Sequence, residues 1–336
     1  AYAVMSASLA GFTFLAMISK ENGILLPLFA LVLELTIFAA SDRQQLNRYW
    51  LATFIVAPSI VIFLYLADRV VDARFFDIVP TREFSIYERL LTQSRVVVDY
   101  LQNWFIPKLY TTGIFQDHFI KSTSLFTPLS TLIATVFHFA VIGLAIVQRR
   151  RWPLLSFAIL FYYVGNLLES TVINLELYFE HRNYLSAAML FVPLVAYLHQ
   201  KLNMRTFFVV CSLSVALLGG FTRYSSTIWQ DYELMVATSA HKAPTSARAQ
   251  AYYAANLFNA GHVDAAFDVL DRAVENIGST KPLLLVQRLI LMCHTHRLDE
   301  EDFEHTAGIL ATTVYDPRMI NMYQVLSEAI VRRACP

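Results

Sequence analysis

The sequence predicts an all-α protein in which a polytopic membrane helix bundle is followed by a small domain of helical repeats. Of its 336 residues, 56% are hydrophobic and only 15% are charged, whereas an average soluble domain has about 25% charged residues. Seven apolar stretches approach the length of about 20 residues that crosses a bilayer. The formal net charge is zero, so the chain lacks the overall basic field of nucleic-acid-binding proteins, and nucleic acid is excluded as a partner.

The predicted spans are flanked by Tyr, Trp and Arg residues, which extend short apolar segments into the membrane interface. They cover residues 2–18, 23–40, 50–67, 129–147, 152–168, 184–199 and 206–221. We therefore assign residues 1–221 to a membrane domain with about seven spans.

The loops between the spans predict an orientation. Basic residues lie in the short loops 41–48, 148–151 and 199–205, and the positive-inside rule makes their side cytoplasmic. The long loop 68–128 and everything after Phe221 then lie on the extracytoplasmic side. Within this loop, residues 85–105 have the pattern of an amphipathic helix, which either rests in the membrane interface or packs on a core of the loop itself.

After the last span the composition changes. Residues 222–246 are polar and mixed and are expected to form a linker. Residues 247–278 resemble a tetratricopeptide repeat, with Gly261 at the turn and Ala266, Leu270 and Ala273 at packing positions of the second helix. Residues 281–315 form a weaker second copy. We expect 247–336 to be an extracytoplasmic tetratricopeptide-like domain, and a small unrelated helical bundle is the alternative.

Two charged clusters interrupt the apolar stretches on the predicted extracytoplasmic side. Ionisable residues beside membrane spans are costly to desolvate and usually face a cavity, a partner or a polar ligand. The clusters contain Lys20 and Glu21 after the first span, and Glu180, His181, Arg182 and Tyr184 at the start of the sixth. They predict a polar substrate-binding site at the membrane surface, and the alternative is a set of interfacial anchors.

The residue types in these clusters suit a lipid-linked phosphate. The planar fork of Arg182 matches phosphate oxygens, and His181 can carry a proton or bind a metal. Glu180 can orient a neighbour or accept a hydrogen bond from a sugar hydroxyl, and Tyr184 offers a flat surface to a sugar ring or lipid head.

The absence of several well-known motifs argues against further classes of protein. The chain has no Gly-rich dinucleotide motif, P-loop, G-x-S-x-G or H-E-x-x-H sequence, so we predict neither nucleotide binding nor a common hydrolase site. Cys211, Cys293 and Cys335 have no metal-binding or redox spacing, and we expect three free thiols.

Two short motifs suggest a family. Residues 19–27, read as S-K-E-N-G-I-L-L-P, resemble the S-K-E-N-x-x-x-L-P stretch of the transmembrane and tetratricopeptide-repeat O-mannosyltransferases. Residues 180–185, read as E-H-R-N-Y-L, are similar to the E-(H)-R-x-Y-L stretch of that family in the form of its bacterial relatives. The resemblance covers most of the chain, although Ser186 replaces the usual Pro and the repeat region is short.

The resemblance implies a GT-C type glycosyltransferase, which transfers a sugar from a polyprenyl-phosphate-linked donor to a protein or glycan acceptor on the extracytoplasmic face. We assign the lipid phosphate to Arg182 and Lys20, the orientation of donor or acceptor to Glu180 and His181, and the support of Lys20 to Glu21. The family's catalytic acid lies in its first extracytoplasmic loop. Because this chain begins with Ala-Tyr-Ala inside an apolar run, we expect a fragment whose catalytic residue is upstream.

Alternatives stay open on several points. The alternatives to a glycosyltransferase are a non-enzymatic membrane scaffold whose repeats recruit partners, and a ligase or polymerase of polyprenyl-linked glycans. No metal ligand is assigned, and dependence on a divalent metal is undecided. The expected partners are membrane lipid, the lipid-linked sugar, its acceptor and a protein bound to the repeats. We expect a bacterial inner membrane with the C-terminal domain in the periplasm, and the lumen of the endoplasmic reticulum is the alternative.

Overall fold

Helices form the regular structure of the chain, as the sequence predicts. The computed structural model describes residues 1–40, 46–72, 74–79, 82–106, 108, 115–278, 281–313, 319–331 and 335. Among these residues there is no β-strand, and the one isolated bridge joins Ser124 and Thr127. Two compact units are present, and the chain enters each of them more than once. Unit 1 contains Ala1–Asp77, Phe84–Ile106 and Lys121–Ser214, and unit 2 contains Ile78–Glu83, Pro107–Ile120 and Val215–Pro336.

Unit 1 holds the apolar helices. They are α1 (Tyr2–Ser19), α2 (Leu26–Leu33), α3 (Arg48–Leu51), α4 (Ala57–Val71), α5 (Ile86–Phe105), α6 (Ser130–Gln148), α7 (Pro153–Asn166), α8 (Asn183–Ala187), α9 (Val192–Lys201) and the start of α10 (Met204–Gln230). Short 3-10 or π-helical turns extend α2 and α4, giving continuous helical stretches over Glu21–Phe38 and Arg48–Val71.

Within the described part of the chain, five helical stretches are long and apolar enough to cross a membrane. They are Tyr2–Ser19, Glu21–Phe38, Arg48–Val71, Ser130–Gln148 and Met204–Gln230. Their apolar side chains are largely exposed, and none of the residues of α1 is buried within the protein. This is the distribution expected when acyl chains, rather than protein, cover a helix. The structure is therefore compatible with a membrane protein.

The other two predicted spans differ from the expected single helices. Helix α7 has 14 residues, fewer than the about 17–25 of a typical span. The predicted span 184–199 is divided between α8 and α9, because Pro193 starts a new helix in its first turn. The estimate of about seven spans thus corresponds to five long helices and two shorter or interrupted segments.

Helix α5 positions the candidate site. It begins with a capping box, in which the Ser85 hydroxyl accepts from the Glu88 amide and the Glu88 carboxylate accepts from the Ser85 amide. Its buried face is largely polar and packs against α6 and the segment that follows α7. The helix thus packs within the protein, but α6 and the segment after α7 lie outside the loop 68–128, whose own core was one of the two positions expected from the sequence. His138 of α6, which contacts the Ser94 carbonyl and the Tyr163 hydroxyl, is a core residue.

Unit 2 contains the remaining helices. These are the end of α10, then α11 (Tyr232–Lys242), α12 (Ala247–Asn259), α13 (Val263–Ile277), α14 (Pro282–Thr295), α15 (Glu300–Thr312) and α16 (Ile320–Val331). Residues 222–246, expected as a linker, lie mostly in α10 and α11. The boundary between the two units also lies within α10, between Ser214 and Val215.

The C-terminal helices form successive hairpins. Gly261, with a φ of 86°, provides the turn between α12 and α13. The predicted packing residues Ala266, Leu270 and Ala273 are buried in the core of this pair. Helix α14 packs on both α12 and α13, and also on α15 and α16. This is the neighbour-to-neighbour packing of a helical repeat, but assignment to the tetratricopeptide class stays a prediction.

The prediction of three free thiols is wrong for two of them. Cys293 in α14 and Cys335 near the C-terminus form a disulfide across 42 residues of sequence, whereas Cys211 has a free thiol. The spacing of these two cysteines matches no motif in the sequence. They come together only because α14 to α16 fold onto one another. Structural disulfides are typical of oxidising compartments, which agrees with the extracytoplasmic side predicted for this region.

Candidate functional site

The first charged cluster lies at the end of α1. Lys20 ends this helix in an extended conformation, with φ −155° and ψ 142°, and the 3-10 turn Glu21–Leu25 follows at once. Gly23 allows this turn to lie against α1, since a Cβ atom at Gly23 would stand 2.2 Å from the backbone carbon of Ala16. The local fold therefore fixes Lys20 and Asn22 side by side at the end of the helix.

Glu169 joins the two charged clusters that the sequence predicts. It follows α7, and its side chain is only 10% exposed. Its Oε1 atom lies 2.9 Å from Nζ of Lys20 and accepts a 2.8 Å hydrogen bond from Nδ2 of Asn22. Its Oε2 atom lies 3.9 Å from Nε of Arg182. Lys20 and Arg182, predicted to converge, thus meet at one carboxylate.

A fully buried arginine holds the segment that carries Glu169. The Arg89 guanidinium donates to the backbone carbonyls of Glu169, Thr171, Leu175 and Glu176. The segment has no strand partner among the described residues, so its buried carbonyls need side-chain donors. Arg89 supplies several donors from one planar group, which explains why a charged residue lies on the buried face of α5.

Further side chains of α5 extend this support towards Arg182. Gln93 donates to the Leu177 carbonyl. The Tyr100 hydroxyl donates to the Phe179 carbonyl at 2.9 Å and accepts from the Phe179 amide at 2.8 Å. Burial raises the pKa of Tyr100 to about 12, so its hydroxyl stays protonated and remains a donor. Tyr178 in turn donates to the Asp99 carboxylate.

Arg182 is positioned from three sides. It ends the 3-10 turn Glu180–Arg182 and donates from Nη1 to the Glu176 carbonyl at 2.8 Å. Its guanidinium lies 4.8 Å from the centre of the Phe179 ring, a cation–π distance. With Glu169 on the third side, Arg182 is held in one orientation while 16% of its side chain stays exposed. The head group is therefore preorganised and still accessible.

The other predicted residues surround this centre. His181 is exposed, and its ring lies 4.9 Å from that of Phe179. Desolvation, followed by the charges of Arg182 and Lys20, lowers the pKa of His181. Glu180 is half-buried on the same 3-10 turn.

One expectation is wrong, and the role expected for Tyr184 stays a prediction. Glu21 is exposed, and the described ion pair of Lys20 is made with Glu169, so the expected support of Lys20 by Glu21 is wrong. Tyr184 is 78% exposed on the first turn of α8, with no described bond to the cluster.

Glu169 and the role of Asn22 are the parts of the site that sequence reasoning missed. Asn22 belongs to the S-K-E-N motif, and Glu169 directly follows the apolar stretch 152–168. Its position at the end of a span, on the same predicted side as both clusters, is the signal that could have identified Glu169. A single carboxylate at a helix end is common, however, and the sequence does not show which residues approach it.

Two cations share one carboxylate at this centre, since Lys20 and Arg182 both lie within ion-pair distance of Glu169. This centre lies at the ends of apolar helices α1 and α7. It can hold an anionic head group while the attached hydrocarbon stays among apolar surfaces.

Comparison of the chain with models of protein families, with curated proteins and with solved structures finds no match.

Proposed function

We propose that this chain binds a polyprenyl-phosphate-linked sugar at the membrane surface and takes part in transferring the sugar to a protein or glycan acceptor. The observation that supports this best is the convergence of Lys20 and Arg182 on Glu169, at one end of the apolar helices. The resemblance of residues 19–27 and 180–185 to the O-mannosyltransferase motifs points to the same class of donor.

The donor phosphate is assigned to Arg182 and Lys20. Arg182 offers two N–H groups in one plane, which matches two oxygens of a phosphate. Lys20 offers an ammonium group on a side chain that is 51% exposed. The two cations suit a phosphate diester, which carries one negative charge. The exposed apolar surfaces of the neighbouring spans suit the polyprenyl chain.

The repeat-like helices are assigned to the acceptor or to a protein partner. Stacked helical hairpins present extended surfaces suited to peptides. The Cys293–Cys335 disulfide supports placing these helices in an oxidising compartment, such as a periplasm. His181 and Glu180 are assigned to orienting the donor or acceptor beside Arg182.

A binding experiment tests the first step. The full chain in lipid nanodiscs is titrated with a fluorescent short-chain polyprenyl phosphate and with the corresponding neutral polyprenol. The phosphate should bind at least tenfold more tightly. Arg182→Ala and Lys20→Ala should each weaken phosphate binding by about tenfold, because one contact to a charged group is worth about 1.5–3 kcal/mol.

Matched controls lie elsewhere in unit 1. Arg205→Ala and Lys201→Ala remove the same residue types from exposed positions in the predicted cytoplasmic loop, and should leave phosphate binding unchanged. If the phosphate and the polyprenol bind equally well, the proposal is wrong and the scaffold alternative gains support. Transfer of a radiolabelled sugar to endogenous acceptors in membranes then tests catalysis separately.

A further inference from the structure

The two oxygens of Glu169 have different surroundings. Oε1 receives Lys20 at 2.9 Å and Asn22 at 2.8 Å. Oε2 is buried and accepts no hydrogen bond from any described residue, since Arg182 at 3.9 Å is beyond hydrogen-bond length. One side of the carboxylate is thus satisfied, and the other still has capacity to accept.

Asn22, next to Glu169, also has one polar atom that is satisfied and one that is not. The residue is only 3% exposed, and its Oδ1 atom is also a buried acceptor that no described donor reaches. Its amide orientation follows from its neighbour, because only the NH₂ group can donate to Oε1 of Glu169. Asn22 and Glu169 therefore form one hydrogen-bonded pair that offers two unused acceptors. Buried acceptors without donors are rare in proteins and call for a specific explanation.

The charge around the pair decides which donor fits. A metal ion would also satisfy two oxygens, but Lys20 and Arg182 both adjoin Glu169 and would repel a second positive charge. A neutral donor avoids this repulsion. Hydroxyl groups are neutral donors, and adjacent hydroxyls on one sugar ring can serve two neighbouring acceptors.

We propose that Asn22 Oδ1 and Glu169 Oε2 form a hydroxyl-accepting subsite that recognises the sugar of the lipid-linked donor. This inference rests on the proposed function, because it places the sugar next to the phosphate held by Lys20 and Arg182. The subsite would distinguish a glycosylated polyprenyl phosphate from the bare lipid phosphate, and also from phospholipids without a polyhydroxylated head. Asn22 and Glu169 act here as specificity-determining residues.

Ligand comparison provides the test. The full chain in nanodiscs is titrated with a short-chain polyprenyl methyl phosphate, which serves as the bare phosphate because it carries the same single negative charge as a sugar ester, and with the corresponding mannosyl and glucosyl esters. At least one ester should bind on the order of tenfold more tightly than the bare phosphate, as expected for a hydroxyl donating to a charged acceptor. Replacing one hydroxyl of that sugar by hydrogen or by fluorine, neither of which donates, should remove most of the gain.

Two variants connect the gain to these atoms. Asn22→Leu keeps the size of the side chain but removes its acceptor. Glu169→Gln keeps its shape. Lys20 still requires an oxygen at Oε1, so the amide NH₂ of Gln must occupy the Oε2 position and turn an acceptor into a donor. In both variants the affinity ratio of ester to bare phosphate should fall from about ten to about one. Asn174→Leu, at an exposed position in the same segment, should keep the ratio.

The outcomes separate the two proposals. If the bare phosphate binds better than polyprenol but neither ester improves on it, the hydroxyl subsite is wrong and phosphate binding stands. The same conclusion follows if Asn22→Leu and Glu169→Gln both keep the full ratio. If the bare phosphate binds no better than polyprenol, the phosphate site itself is wrong, and the subsite proposal fails with it.

Discussion

Lys20 and Glu169 form an ion pair that joins the end of α1 to the segment after α7, with Nζ 2.9 Å from Oε1. Asn22 donates to the same oxygen and Arg182 approaches the other. One carboxylate therefore organises the two charged clusters that flank the apolar helices. The arrangement positions cations for an anionic ligand and leaves Oε2 of Glu169 and Oδ1 of Asn22 as unused acceptors.

Removing the carboxylate should destabilise unit 1. In Glu169→Ala, Asn22 loses its hydrogen-bond acceptor and the largely buried Arg182 loses its ion-pair partner, and we expect a loss of about 1–3 kcal/mol in unfolding free energy. Lys20 contributes less to this loss, because its half-exposed side chain is rehydrated. The thermal unfolding midpoint in detergent provides the measurement. Glu21→Ala, at an exposed position, is the control, and equal midpoints for the two variants would contradict the central role of Glu169.

Arg89 should matter more to the fold than any residue of the two clusters. Arg89→Met keeps the apolar stem but removes the guanidinium that donates to the carbonyls of Glu169, Thr171, Leu175 and Glu176, and we expect a loss of more than about 3 kcal/mol. Arg89→Lys should rescue this only in part, since an ammonium lacks the planar fork. Hydrogen exchange of residues 169–179 should increase in both variants. Arg69→Met, at an exposed position on α4, should leave exchange there unchanged.

The sequence predicts helices well where one physical requirement acts alone. Long apolar stretches such as 129–147 became single helices because in lipid only intrahelical bonds can satisfy the backbone. The turn at Gly261 and the buried Ala266 also followed from local patterns. Residues 184–199 do not form the single helix expected from hydropathy, because Pro193 favours the start of a new helix at that point.

The site was predictable only in part. Lys20 and Arg182 are recognisable because charges stand out beside apolar stretches. Their meeting point at Glu169, and the disulfide between Cys293 and Cys335, depend on packing between distant parts of the chain. The amphipathic pattern of residues 85–105 does not indicate that the polar residue Arg89 is buried. Its bonds to backbone carbonyls carry no sequence pattern.

His181 should make the stability of unit 1 dependent on pH. Its pKa is lowered by desolvation first and then by Arg182 and Lys20, so the unfolded chain takes up this proton at a higher pH than the folded one. The neutral His181 ring makes its full contribution to the unfolding free energy above about pH 6.5, the ordinary pKa of histidine. This contribution is lost as the pH falls from that value towards the lowered pKa of the folded state. Unfolding midpoints between pH 7.5 and 5 provide the measurement. His181→Gln should flatten this part of the profile, and an unchanged slope would count against the assignment.

Gly23 should tolerate no side chain. A Cβ atom at this position would lie 2.2 Å from the carbonyl carbon of Ala16, so Gly23→Ala must push the 3-10 turn away from α1. We expect a loss of about 1–3 kcal/mol and weaker phosphate binding, because Lys20 and Asn22 move with the turn. In Gly11→Ala, within α1, the added Cβ atom meets no atom within 4 Å. This variant should be neutral or stabilising by about 0.5–1 kcal/mol. Equal behaviour of the two variants in thermal unfolding would refute the close approach.

The disulfide should define the chemical state of unit 2. In protein isolated without reductant, mass spectrometry after alkylation should find Cys211 modified and Cys293 linked to Cys335. Cys335→Ser should lower the unfolding free energy of this unit by about 2–4 kcal/mol, because the crosslink no longer restrains the unfolded chain. Cys211→Ser should cause little change. Modification of all three cysteines before reduction, in protein taken directly from the membrane, would place these helices in a reducing compartment and remove one support for their extracytoplasmic location.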